Sequence, residues 1–310
     1  MRTSPVTAFA PASVGNVAVG FDILGHALAG MGDRVTVSAG SDPGVSMGTI
    51  DGTAANLPTE AERNTAGRAV MALIQDLGLV ASIEVSIEKG IPLASGLGGS
   101  AASAVAAVVA ANEFFQLNLE PRVLYPYALA GETVASGTAH GDNVAPQLLG
   151  GLVLVAGDHL IPIPIPDGLL AVAIHPHCQV ETAEARQLLS APFELGAVVQ
   201  QSARLGLLLA GCYRNDSNLL SDALIDTMIE PRRAALIPGF DDVQRAALSA
   251  GAMGATISGA GPTVCAWASS TAQAVTIADA MQAAFLQHGL ASDRLICAVD
   301  SPGAQIVSSA

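Results

Sequence analysis

An α+β protein of two domains is what this sequence predicts, and three observations carry the prediction. The chain has 310 residues, long for one hydrophobic core and comfortable for two. Segments that alternate apolar and polar residues interleave with segments of helical spacing along its length. The run IPIPIP at 161–166 cannot be a central strand and lies near a plausible junction. We therefore expect one domain over 1–155 and a second over 156–310.

Composition narrows the class. Hydrophobic residues make up 51% and charged residues 13%, which suits a core-rich globular protein and excludes disorder. Aromatics are 4%, so the cores must be built from Ala, Val, Leu and Ile. The net charge is −14, and a single base, Arg122, lies between Lys89 and Arg186. Without a basic stripe, nucleic-acid binding and polybasic membrane attachment are not expected. Lys89 is the only lysine, so an anionic ligand must be held by backbone amides, a metal ion or a few arginines. Cys178, Cys212, Cys265 and Cys297 are scattered, with no Cys-x-x-Cys pair, and read as free thiols in a reducing compartment. The start MRTSPVTAFAP lacks the apolar stretch of a signal peptide. The bland stretch 101–111 is too short to span a bilayer. A cytoplasmic protein is expected.

In chain order, 5–9 reads as a short strand followed by a Gly-rich turn segment, PASVGNVAVGFDILG. RVTVSA at 34–39 alternates as a strand. Ala66, Ala69, Val70, Leu73, Ile74 and Leu77 define a helix over 60–77, with Gly78 as its C-cap. SIEVSIE at 82–88 alternates strictly. GIPLASGLGGS leads into a small-residue helix over 101–115, and another helix covers 122–135. SGTAHGDN at 136–143 reads as a loop or helix start. GLVLVA at 151–156 and LLAVAI at 169–174 read as buried strands. Helical patterns return at 183–190, 194–212 and 216–229. GATISGAGPTVCAW at 254–267 reads as strand, Gly-turn, strand, before a helix at 272–288 and a strand at 294–300.

The loop Ser95-Gly96-Leu97-Gly98-Gly99-Ser100 stands between a strand and the alanine-rich helix. Glycines let backbone approach a ligand closely and take positive φ. The helix that follows aims unpaired N–H groups and its positive dipole end at the same spot. Such an arrangement can hold phosphate without lysine, and tight helix–strand packing through small residues is the alternative use of the same loop. A Walker A loop is excluded, because Lys89 is followed by Gly90-Ile91. Gly96-x-Gly98-x-x-Ala101 matches the relaxed dinucleotide fingerprint, but it stands eight residues past the strand end at Glu88.

Three motifs together resemble a known family. IPLASGLGGSAAS looks like the ATP loop of the GHMP kinases, PASVGNVAVGFDILG like their N-terminal motif, and GATISGAGPTVCAW like their C-terminal Gly-rich motif. They occur in the family's order, and the likeness covers essentially the whole chain. Within the family the match is to the homoserine-kinase branch, through GETVASGTAHGDNVAPQLLGG, VETAEARQLL and IEPRRAALIPGF. Two departures stand out: Gly99 replaces a usual serine, and Gly15-Asn16-Val17-Ala18 replaces Ala-Asn-Leu-Gly.

The resemblance implies a two-domain GHMP kinase fold: a nucleotide-binding N-terminal half like domain 2 of ribosomal protein S5, and a ferredoxin-like C-terminal half. It implies ATP and Mg²⁺, L-homoserine as substrate, and a possible homodimer. The nucleotide falls to Pro92, Leu93, Ala94, Ser95, Gly96, Leu97, Gly98, Gly99, Ser100, Ala101 and Ala102, with Asn64, Gly259 and Gly261. Gly259, Ala260 and Gly261 should turn closely beside the phosphate loop. Ser100 and Glu132 fall to the metal. Arg186 and Arg233 would bind the amino-acid carboxylate, for which a guanidinium fork suits better than an ammonium. Asp22 would accept from the ammonium, and Asn16, His140 and Thr182 would contact the substrate. Asn143 would orient the hydroxyl and join Glu132 and Arg186 as the catalytic set, while Asp142 next to it is read as structural. Other activities stay open: a mevalonate-pathway kinase or decarboxylase, or a sensor without catalysis, on the same scaffold, and a dinucleotide oxidoreductase built on the 96–101 loop.

Overall fold

The computed structural model describes residues 2–137 and 140–309. The chain alternates strands and helices in two sheets. The first sheet contains β1 (Val6–Gly15), β2 (Leu24–Ala39), β3 (Gly44–Gly52), β4 (Ser82–Lys89), β5 (Leu152–Ala156), β6 (His159–Ile163) and β11 (Gln305–Ser309). The second contains β7 (Leu170–Pro176), β8 (Gly254–Ile257), β9 (Val264–Ala268) and β10 (Ser292–Ala298), in the antiparallel order β10-β7-β9-β8.

Strand β2 organises the first sheet. Its 16 residues pair with β1 along their length, with β4 through 34–39 and with β5 through 24–26. The segment 11–15, expected as a turn, continues β1 as far as Gly15, across an irregularity between Pro11 and Ala12. Strand β6 pairs with β5 alone, so Pro162 sits on an edge where its missing N–H leaves no ladder bond unmade. Strand β11 returns from the far end of the chain to pair with β1, so the first sheet draws on residues beyond 156 at two places.

Helices α1 (Thr65–Asp76), α2 (Gly99–Phe115), α3 (Pro121–Ser136) and α4 (Gly141–Leu149) cover this sheet. Helix α2 is apolar all round and buried on nearly every side, as such a helix must be. Its alanines at 101, 102, 104, 106, 107, 110 and 111 let sheet and helices approach closely. Helices α5 (Thr182–Gln187), α6 (Leu195–Arg214), α7 (Ser217–Ala223) and α8 (Glu230–Arg233) lead to α9 (Phe240–Ser249) and α10 (Thr271–Gln287), which pack on the second sheet. Helix α6 is longer than the bland stretches counted from sequence. By length and composition alone it could cross a bilayer, but Leu208, Gly211 and Cys212 pack it on the protein.

The two sheets share an apolar boundary. Along β7, Ala171 and Ala173 belong to the first core, while Val172 and Ile174 belong to the second. Along β9, Cys265 and Trp267 face the first core, while Val264, Ala266 and Ala268 face the second. Strand side chains alternate with period two, so a strand between two cores is apolar throughout. That is why LLAVAI carries no polar alternation. Trp267 Nε1 donates to His26 Nε2 across the boundary at 3.3 Å.

Candidate active site

The glycine loop is built by three sequence-distant segments that satisfy its carbonyls. Ser13 N–H donates to Leu97 O at 3.1 Å, and Val180 N–H to Ala94 O at 3.3 Å. From the third motif, Ser258 Oγ donates to Gly96 O and Thr263 Oγ1 to Ser95 O, each at 2.7 Å. Gly259 lies against Gly96 and donates its N–H to Gly15 O at 3.2 Å. Gly261 has φ +89° in the same turn. Gly96 (φ +76°) and Gly98 (φ +67°) hold left-handed backbone. A Cβ on Gly96 would lie 2.7 Å from Gly261 O, so both the torsion and the space require glycine there. Gly98 is the N-cap of α2, which starts at Gly99 with its first amides facing the loop.

Beneath the loop lies Lys89, buried away from the ligand side. Its ammonium pairs with Asp33 and donates to Gly99 O at 2.6 Å and to Ser103 Oγ at 3.0 Å. Asp33 Oδ1 accepts from the N–H groups of Gly90 and Ile91 at 3.0 and 3.2 Å. The sole lysine therefore fastens the first turn of α2 to the end of β4. Sequence reasoning passed over this task, although a lone lysine beside a glycine loop is itself a signal.

A cavity of about 400 Å³ opens in front of the loop. Pro92, Leu93, Ala94, Ser95, Gly96, Gly98, Gly99 and Ser100 line one side. Asn16, Asp22, Glu132, His140, Asp142, Asn143, Thr182, Arg186, Arg233 and Gly259 line the rest, together with Ala135, Glu181, Ala183 and Ala260. Leu97, Ala101 and Ala102 point into the core, so they contribute backbone alone. Asn64 lies outside this lining. Its Oδ1 caps α1 by accepting from Ala66 and Gly67 N–H at 3.0 and 3.4 Å, and its Nδ2 donates to Pro58 O at 2.9 Å. The side chain assigned to the nucleotide is thus engaged in closing a helix end. Of the stretch 136–143, Thr138 and Ala139 lie outside the described residues.

One flank of the cavity is charged. Arg186 donates from Nη2 to both carboxylate oxygens of Asp22, at 2.9 and 3.0 Å. His140 Nδ1 stands 3.4 Å from Asp22 Oδ2. Arg233, 3% exposed, donates to Ala185 O at 3.2 Å and to Gly259 O at 2.9 Å. Burial, and then the charge of Arg186, lower its pKa from the usual guanidinium value. Phe21 holds both arginines, with their guanidinium carbons 5.4 and 5.2 Å from its ring centroid. No sequence pattern pointed to Phe21. Asn16 ties the first motif to the third: Nδ2 donates to Gly259 O at 2.8 Å, and Oδ1 accepts from Asp22 N–H at 3.0 Å.

The other flank carries carboxylates away from water. Burial pushes Glu132 up to about 7, opposed by a hydrogen bond from Ser100. Burial, and then the charge of Asp22, push Asp142 up to about 7. Asn143 accepts from Ser13 Oγ at 2.8 Å and donates to Asp142 Oδ1 at 3.3 Å. Among the described residues, no group of three or more His, Cys, Asp or Glu side chains forms a metal cage. A carboxylate with a neighbouring hydroxyl is instead the kind of sparse oxygen set that suits Mg²⁺, which keeps waters and phosphate oxygens in its shell.

An amide-lined loop, a sparse oxygen pair and a charged pocket in one cleft define a small-molecule kinase, and comparison with known proteins gives the family. Residues 64–151 match the model of the GHMP kinases N terminal domain, and residues 205–287 match that of the GHMP kinases C terminal domain. The chain belongs to the GHMP kinase family. It is 50% identical over 300 residues to homoserine kinase of Xylella fastidiosa (strain M12), covering 97% of this chain and 93% of that one. It is 49% identical to homoserine kinase of Xanthomonas campestris pv. campestris (strain B100), covering 97% and 94%. The crystal structure of homoserine kinase from Cytophaga hutchinsonii ATCC 33406 superimposes with a TM-score of 0.95 at 41% identity, covering 99% of this chain and 98% of that one.

Proposed function

We propose that the protein transfers the γ-phosphoryl group of ATP to the side-chain hydroxyl of L-homoserine, giving O-phospho-L-homoserine and ADP. The observation that carries this reading is one cavity in which the glycine loop faces two arginines, an aspartate and an asparagine. Homoserine is a zwitterion with a terminal hydroxyl. Arg186 and Arg233 suit its carboxylate, Asp22 its ammonium, and Asn143 its hydroxyl. Asn16, His140 and Thr182 border the same space. Mevalonate has no ammonium and would leave Asp22 without a ligand partner, so the acidic side chain favours an amino acid.

In the transfer, the hydroxyl oxygen forms the new bond to phosphorus. The bond from the γ-phosphorus to its bridging oxygen breaks, and the electron pair leaves with ADP. The hydroxyl proton departs to a phosphate oxygen or to solvent. Such transfers rest mainly on positioning and charge neutralisation. Residues 93–101 would seat the triphosphate through backbone amides, while Pro92, which has no N–H, and Ala102, whose N–H donates to Gly98 O at 2.9 Å, shape the same seat, with Gly259 and Gly261 closing over it. Ser100 and Glu132 would hold Mg²⁺, which neutralises phosphate charge when bound. A cytoplasmic enzyme without nucleic-acid or membrane partners completes the reading. Exposed Leu195, Val199 and Tyr213 on α6 support a homodimer, which sedimentation would check.

The test is ADP release from ATP with homoserine, mevalonate and shikimate in parallel. Homoserine alone should give turnover. Arg233→Ala should raise the KM for homoserine roughly 10- to 100-fold, as expected for losing a charged hydrogen bond, and leave the KM for ATP near its wild-type value. Equal turnover with mevalonate would sink the assignment.

A further inference from the structure

We propose that Ser13 and Gln147 are positioning residues for the acceptor hydroxyl: they lock the Asn143 carboxamide with its NH₂ toward the cavity and its oxygen away. The inference rests on the reading above, in which Asn143 meets that hydroxyl.

Both residues are fully buried, at 0% exposure, and neither lines the cavity. The direction of every bond in the chain follows from its first member. Gly98 O can accept and cannot donate, so the Gln147 group 2.9 Å from it is the NH₂. The second N–H of that group reaches Ser13 Oγ at 3.0 Å, which makes Oγ an acceptor there. The Ser13 proton then points at Asn143, 2.8 Å away, so the Asn143 atom at that place is Oδ1. With the amide reversed, the Ser13 proton would have no acceptor among the described residues. Asn143 Oδ1 would also face the Asp142 carboxylate, where Nδ2 now donates at 3.3 Å.

The consequence is chemical. Asn143 offers the hydroxyl a donor and no acceptor, so it binds one lone pair of the hydroxyl oxygen. Another lone pair is left for phosphorus. The hydroxyl proton is turned away from Asn143, which therefore cannot receive it. The lock begins at Gly98, the N-cap of α2, so the hydroxyl is oriented relative to the phosphate loop itself. The space is made for it: a Cβ on Gly98 would run into Ser13 Oγ and come within 2.7 Å of Gln147 Nε2.

A double-mutant cycle on ADP release tests the lock. Ser13→Ala should lower kcat roughly three- to tenfold, the loss expected for one hydrogen bond, with the KM for ATP unchanged. Ser13→Thr, which keeps the hydroxyl, should restore it. Combined with Asn143→Ala, Ser13→Ala should cost nothing more, because its effect runs through Asn143. Additive losses would overturn the proposal. If Ser13→Ala does not fold, Gln147→Met breaks the same chain at its other end and enters the same cycle. A second readout is independent of the acceptor. The side-chain amide signals of Asn143, identified by their loss in Asn143→Asp, should shift in the ¹H–¹⁵N spectrum of the Ser13→Ala or Gln147→Met variant. Unmoved signals would also overturn the lock. Shifted signals with no turnover of homoserine would leave the lock standing and remove the substrate assignment.

Discussion

At the scale of residues, the decisive contacts join side chains far apart in sequence. Lys89 and Asp33 form an ion pair with side-chain exposures of 1% and 0%. Removing one partner strands a buried charge, which costs about 3–5 kcal/mol, whereas replacing both by apolar groups is often neutral. Lys89→Met should therefore lose about 3–5 kcal/mol in urea unfolding, and Lys89→Met with Asp33→Asn, which removes the second charge but keeps an acceptor for the Gly90 and Ile91 N–H groups, should recover most of it. Recovery of stability without recovery of ATP binding would show that the pair also shapes the loop. Glu230 is another buried carboxyl group, accepting from Ile257 N–H at 3.0 Å and from Gln244 Nε2 at 2.7 Å. Burial pushes it up to about 7, above its unfolded value. A group held protonated in the folded state contributes stability that is full below its unfolded pKa and lost as pH rises through the folded one. Compared with Glu230→Gln, the wild type should lose on the order of 3 kcal/mol in denaturant unfolding between about pH 4 and pH 8. A pH-independent difference would refute that account.

At the scale of elements, strongly periodic segments were legible and weakly patterned ones were not. The α1 spacing Ala66, Ala69, Val70 and Leu73 faces the core. The β4 alternation buries Ile83, Val85 and Ile87 on one side. Strand β3, GVSMGTIDG, lies on an edge, contains three glycines and buries no residue fully, and a register shift between Met47 and Ile50 breaks its short apolar alternation. Helix α4 opens on glycine and carries Pro146 within nine residues. Its helicity comes from packing against β1, β2 and β5 rather than from propensity. The end of helix α1 tests the assignment of Asn64. If that side chain is a cap, Asn64→Ala should cost about 1 kcal/mol and leave the KM for ATP unchanged. A raised KM at unchanged stability would return Asn64 to the nucleotide.

At the scale of the whole molecule, the first core runs through both sheets, taking in Ala171, Ala173, Cys265 and Trp267 from the second. Trp267 is the only tryptophan, is 3% exposed, and lies at that boundary. We expect its fluorescence and far-UV circular dichroism to follow one urea transition, since neither sheet can lose its partner without opening shared core. Two separated transitions would show that the halves unfold independently. The alternating strands, the alanine helix and the three glycine motifs were set by local pattern, because periodicity and backbone freedom belong to neighbouring residues. The family likeness followed from the order of those motifs. What only the tertiary structure decided is which groups meet: Phe21 between two arginines, Lys89 under the loop, and Gln147 and Ser13 behind Asn143. These pairings depend on β1, β2, α4 and the 258–261 turn converging on one loop. Burial, hydrogen-bond direction and pKa arise from that convergence, and no spacing along a single segment encodes it.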